Sequence, residues 1–169
     1  MSIILQIPPI DPSASLRTML LLRLTGDVMG SVTGYHPDVD VLSQLLEWMN
    51  DLDRGWLAVL RSQAWDVDDR TGTDVLLGSD TTANAEASAR RSTPMSQTDR
   101  TRLRSILISG TATMEEWLVE LDTAGEGYDV VLSTLGLQQG FDELFAGTLA
   151  EMGSLNGAMN MPQGMEGTC

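Results

Sequence analysis

At 169 residues the chain has the length of one domain, and 42% apolar content gives it material for a core built mostly from Leu, Val and Met. Acidic residues outnumber basic ones 24 to 10, and the net charge of −14 sets up a field that opposes direct binding to nucleic acid or an anionic membrane. Every basic residue is Arg, which excludes lysine Schiff bases and lysine-dependent phosphate loops.

Residues 3–7 (IILQI) form a short apolar run closed by Pro8 and Pro9. Consecutive prolines stop a helix, so residues 1–10 are expected to be an extended N-terminal arm. Asp11 followed by Pro12 has the order of an N-cap and a proline at the first helical position. A first helix is expected from there to about Ser31. It decays through Gly26, Gly30 and Gly34 into a turn at His36-Pro37.

Asp38 or Asp40 then caps the central helix. Leu42, Leu45, Met49, Leu52, Trp56 and Val59 recur at alternating steps of three and four, which places them on one stripe. Leu46, Trp48, Leu57 and Leu60 widen that stripe beyond a coiled-coil seam, as suits a helix inside a bundle. Residues 11–64 therefore read as a helical hairpin.

From residue 65 to residue 95 the composition turns to Asp, Thr, Ser and Ala, with an apolar island at Val75–Leu77. That stretch is expected to be a flexible acidic linker, disordered over most of its length. Ser96, with Asp99 three residues on, opens the next long helix. Its stripe is Leu103, Leu107, Gly110, Met114, Trp117 and Leu121, and Gly110 would admit a close neighbour. After Gly125 and Gly127 follow one broken helix or two short ones, with Phe141, Leu144, Phe145, Leu149 and Met152 on the buried face. Residues 96–154 form the second half of the same bundle, and 155–169 are expected to be a disordered tail.

The chain offers little chemistry. His36 is the only histidine and Cys169 the only cysteine, so a zinc site has no ligand set and neither residue has a triad around it. The Glu-x-x-His motif of helical di-iron sites is absent. Asp66, Asp68, Asp69 and Asp74 resemble a calcium loop at first sight. Taking Asp66 as its first position puts Arg70 at the fifth and Thr71 at the required glycine, so the match fails. Paired carboxylates such as Asp51 with Asp53 are expected on a solvated face. Arg90-Arg91-Ser92-Thr93-Pro94 fits basophilic and proline-directed kinase sites, with Ser92 or Thr93 as acceptor.

These features predict an all-α fold: an antiparallel bundle of three long and one or two short helices. They predict no enzyme, no cofactor and no metal. The expected function is that of an adaptor or subunit of a larger intracellular complex, in the cytoplasm or nucleus. It would be a hetero-oligomer with protein partners and without a membrane span. Its interface would draw on Trp48, Met49, Leu52, Trp56, Met114 and Trp117, since large aromatic and Met side chains anchor helical interfaces. The alternative is a stand-alone helical domain holding a small apolar ligand between its helices.

Overall fold

A computed structural model of the chain describes residues 1–75, 94–121, 123 and 125–159, with side chains of the last helix described as far as Gly153. The fold is mostly helical. In chain order it comprises α1 (Ser2–Leu5), α2 (Ser13–Val32), α3 (Val39–Leu60), β1 (Ala64–Asp66), β2 (Thr71–Thr73), α4 (Gln97–Leu118), α5 (Tyr128–Thr134), α6 (Gln138–Asp142) and α7 (Ala146–Met159).

The two strongest helical patterns form where the spacing places them, each with a side-chain cap. The Asp38 carboxylate accepts from Asp40 N at 3.0 Å and starts α3. Ser96 Oγ accepts from Asp99 N at 3.1 Å and donates to the Asp99 carboxylate at 2.6 Å, which starts α4. The expected Asp11 cap of α2 is not what closes its first turn. The Ile10 carbonyl accepts from Ser13 N and Ala14 N, the Asp11-Pro12 bond is cis, and Pro12 occupies the cap position with no side-chain bond.

The N-terminal segment corrects the expectation of an extended arm. Ser2–Leu5 is one helical turn, and Leu5 is buried against Gly55 of α3. A Cβ on Gly55 would lie 2.9 Å from Leu5 Cδ1, so the missing side chain in mid-helix makes the seat for α1. Burial of Leu5 outweighs the strand preference of IIL, while Ile3 points outward.

Helix directions correct the all-antiparallel arrangement. Trp56 bonds to Thr25 and Arg17 to Gln63, so α2 and α3 do run antiparallel. Gly26 faces Ile106, Met29 faces Gly110, and Trp117 bonds to Tyr35 just beyond α2. Those pairs rise together, so α4 runs parallel to α2. In the same way Asp53 meets Thr148 and Arg61 meets Glu151, so α7 runs parallel to α3. Residues 61–96 are long enough to return the chain along the roughly 33 Å of a 22-residue helix, and α4 starts level with α2.

The linker expected over 65–95 begins as a folded hairpin. Trp65 pairs with Gly72 across an antiparallel β1–β2 ladder. The Asp66 carboxylate accepts from Asp68 N at 2.9 Å and Asp69 N at 3.1 Å, an Asx turn that gives the acidic cluster a structural role. Arg70 closes the turn with φ +48°. At the other end of the stretch Met95 is buried. The tail also begins later than expected, because α7 continues to Met159.

Candidate binding cleft

The hairpin, α1 and one face of α3 enclose an open cleft of about 480 Å³. Gln44, Glu47, Trp48 and Asp51 supply the α3 wall; their spacing is that of a single helical face. Met1 and Ser2 close one side. Trp65, Val67 and Arg70 close the other.

Arg70 ties the hairpin to α3. Its Nη1 lies 2.8 Å from Asp51 Oδ2 and 3.2 Å from Glu47 Oε1. The left-handed backbone at Arg70 turns the side chain back across the loop toward the helix, a conformation that a non-glycine residue adopts at some cost. Asp51 also takes Arg54 Nη1 at 3.5 Å. Its side chain is only 12% exposed, which corrects its placement on a solvated face: two guanidinium groups allow the carboxylate to be buried. Glu47 is held by one long contact and is 70% exposed.

The indoles differ in the same way. Trp65 is buried, and its Nε1 has no acceptor among the described residues. Trp48 is half-buried on the α3 side of the cleft. Aromatic surface and an accessible carboxylate are recognition chemistry. Asp51 is paired with both Arg70 and Arg54, while Glu47 shares Arg70 and stays largely exposed.

The other residues expected at an interface are placed elsewhere. Met49, Leu52, Trp56, Met114 and Trp117 are all buried in the chain's own core, which corrects their assignment to a partner-facing surface. The stripes meet one another. Trp56 Nε1 donates to Thr25 Oγ1 at 3.0 Å, Thr25 donates to the Leu21 carbonyl at 2.8 Å, and Trp117 Nε1 donates to the Tyr35 carbonyl at 2.6 Å. Ser92 and Thr93 lie outside the described residues.

Trp65, Val67 and Arg70 are cleft residues within the stretch expected to be a linker. The signal that locates them is short: an Asp-led turn between Ala-Trp-Asp and Thr-Gly-Thr. His36 lines a separate depression with Pro37, Asp38, Val39 and Leu121, and its Nδ1 is 3.1 Å from the Pro37 carbonyl. Among the described residues no group of three His, Cys, Asp or Glu side chains is placed to hold a metal, and no helix is long and apolar enough to cross a membrane. No family model, curated protein or solved structure matches this chain.

Proposed function

We propose that this chain is a non-enzymatic adaptor or subunit of a protein complex, and that it docks its partner in the Trp48–Trp65 cleft. The observation that carries the proposal is Trp48, a partly buried indole in an open cleft, in a fold that buries its other interface candidates. A stripe already packed internally is not available to a partner without unfolding. The cleft is.

The occupant is a basic segment of the partner. Charge argues for it: the net −14 attracts a cationic chain, and the Glu47 carboxylate is largely solvent-facing. An arginine or lysine stacked on Trp48 would make a cation–π contact and reach Glu47.

The test is an array of short peptides with an arginine or lysine stepped through each position, alongside acidic counterparts. Binding to wild type is compared with binding to Trp48→Ala and Glu47→Gln, each first shown by circular dichroism to be folded. Preference for the basic peptides, with about a tenfold loss in Trp48→Ala, is the expected result. Equal binding by both variants and wild type, or preference for the acidic set, overturns the proposal.

A further inference from the structure

We infer that the exposed face of α4 docks on the same face of a second copy of this chain, the two helices running antiparallel in a symmetric homodimer. This surface lies on a different helix from the Trp48 cleft, and the inference stands apart from the proposal made there.

Helical spacing puts Thr101, Arg102, Ser105, Ser109, Ala112 and Glu116 along one side of α4, and all six are exposed. The opposite side carries Leu103, Leu107, Met114 and Trp117 and is buried in the core. Ile108, 50% exposed, and Val119, 67% exposed, add apolar surface to the outer side.

The charges on this face are sorted by end. Arg102 and Arg104 stand toward the start of α4, and Glu115 and Glu116 stand in its last turn, roughly 20 Å further along. Among the described residues none of the four is in an ion pair. Spacing is the reason. Ion pairs within a helix join residues three or four apart, and here eleven or more positions separate each Arg from each Glu. The glutamates also sit at the negative end of the helix dipole, where a cation is favoured, and the last turn has no basic residue.

A second copy turned end for end supplies what each end lacks. With the two-fold axis beside Ser109, Arg102 comes level with the partner's Glu116, and Arg104 within one residue of the partner's Glu115. An antiparallel two-fold pair brings like flanks together. Arg102 shares its flank with Glu116, and Arg104 shares the other with Glu115. A parallel pair would set Arg against Arg and Glu against Glu. Between the charged ends the short side chains of Ser105, Ser109 and Ala112 admit a close approach. Val119 of each copy then meets the shallow groove that Thr98, Thr101 and Arg102 help to line on the other.

The net charge of −14 opposes association. That repulsion is spread over the molecule and is screened beyond about 8 Å at physiological salt, whereas pairs in contact are closer than that. One helix laid on another is a small interface, so the dimer is weak, with a Kd of roughly 10–100 µM.

The experiment is sedimentation equilibrium of the full chain at physiological salt, from roughly 10 µM to 1 mM. It compares wild type, the double variant Arg102→Glu with Arg104→Glu, and a fourfold swap that adds Glu115→Arg and Glu116→Arg. Each is first shown by circular dichroism to be folded. Wild type is expected to be dimeric at the upper end. The double variant should dimerise at least about tenfold more weakly, because the Arg–Glu attractions become repulsions. The fourfold swap has a complementary order again and should return to within about threefold of the wild-type Kd. Dilution of wild type followed by amide NMR is a readout free of any substitution: signals of Arg102, Ser109 and Glu116 should move and those around Trp48 should not. A wild type still monomeric at about 1 mM overturns the inference, as does a dimer that both variants leave unchanged. A dimer lost in the double variant and not regained in the fourfold swap overturns the antiparallel pairing.

Discussion

Asp53, in the middle of α3, caps the first turn of α7. Its Oδ1 accepts from Thr148 N at 2.9 Å, and the Thr148 hydroxyl donates back to the Asp53 carbonyl at 3.3 Å. Helix N-termini usually find their cap in the preceding residues. Here Phe145, buried with φ +59°, makes the turn into α7, and a side chain 95 positions away satisfies the backbone.

Asp53→Ala removes that cap and leaves a buried N–H unsatisfied. The expected loss is about 1–2 kcal/mol, a fall of roughly 2–8 °C in a chain this size. Asp53→Asn keeps an acceptor and should recover more than half of it. Thermal melts followed by circular dichroism decide the point, and an Asp53→Ala chain that melts with wild type would show that the contact contributes nothing.

Gly110 and Met29 set the spacing between α2 and α4. A Cβ at position 110 would lie 2.5 Å from Met29 Cε and 3.1 Å from its Cβ and Cγ. The terminal methyl can rotate away, but the inner atoms move only with the helix. Gly110→Ala should therefore cost about 1–3 kcal/mol of overpacking, against a helix-propensity gain of about 1 kcal/mol. With Met29→Gly in place all three contacts are gone. The same Gly110→Ala change should then stabilise by about 1 kcal/mol. A double-mutant cycle in urea measures this change of sign, and two additive effects would refute the steric account.

The Trp56 indole, fully buried, depends on the Thr25 hydroxyl for its only acceptor shown. Thr25→Val keeps the shape and removes the oxygen, and should cost about 1–3 kcal/mol because the indole N–H is stranded. Thr25→Ser should stay within about 1 kcal/mol of wild type. Urea denaturation of the pair separates the hydrogen bond from the packing, since a larger loss in Thr25→Ser than in Thr25→Val would assign the effect to the methyl group.

Much of this architecture is legible in the sequence, because it is local. The stripes of α3 and α4 have helical spacing, Asp38 and Ser96 are caps by residue type, and Gly110 interrupts an apolar stripe where a neighbour needs room. What is not legible depends on pairs distant in sequence. Nothing in IILQI announces that Gly55 offers Leu5 a seat. The α2–α4 direction rests on pairs such as Met29 with Gly110, and composition says nothing about that pairing. Arg70 occupies a left-handed position that glycine or asparagine would have advertised. The hairpin therefore looked like linker, and the cleft was invisible with it. The stripe residues were correctly seen as buried-type side chains; periodicity alone cannot say whether the surface that covers them belongs to the same chain.

Arg17 provides a prediction of the opposite kind, one that depends on a cost. The side chain is 1% exposed. Its Nη1 donates to the Gln63 carbonyl at 2.7 Å, just beyond the C-terminal end of α3, where the helix dipole favours a cation. Nε and Nη2 have no partner among the described residues. The adjoining void, lined by Thr18, Ser62 and Met95 among others, is about 10 Å³, close to the least space a water needs. Burial pushes the guanidinium pKa down to about 10. Above that value, and below the ordinary arginine range, the unfolded chain binds the proton more tightly than the folded one. Arg17's contribution to stability therefore rises with pH across that window, and is lost as pH falls through about 10. Wild type should gain on Arg17→Met by about 1 kcal/mol between roughly pH 9 and pH 11. Comparing the two chains cancels the titration of groups they share. Parallel stability curves over that range would mean that Arg17 keeps its proton as firmly in the fold as in the unfolded chain, with the α3 terminus offsetting the whole cost of its burial.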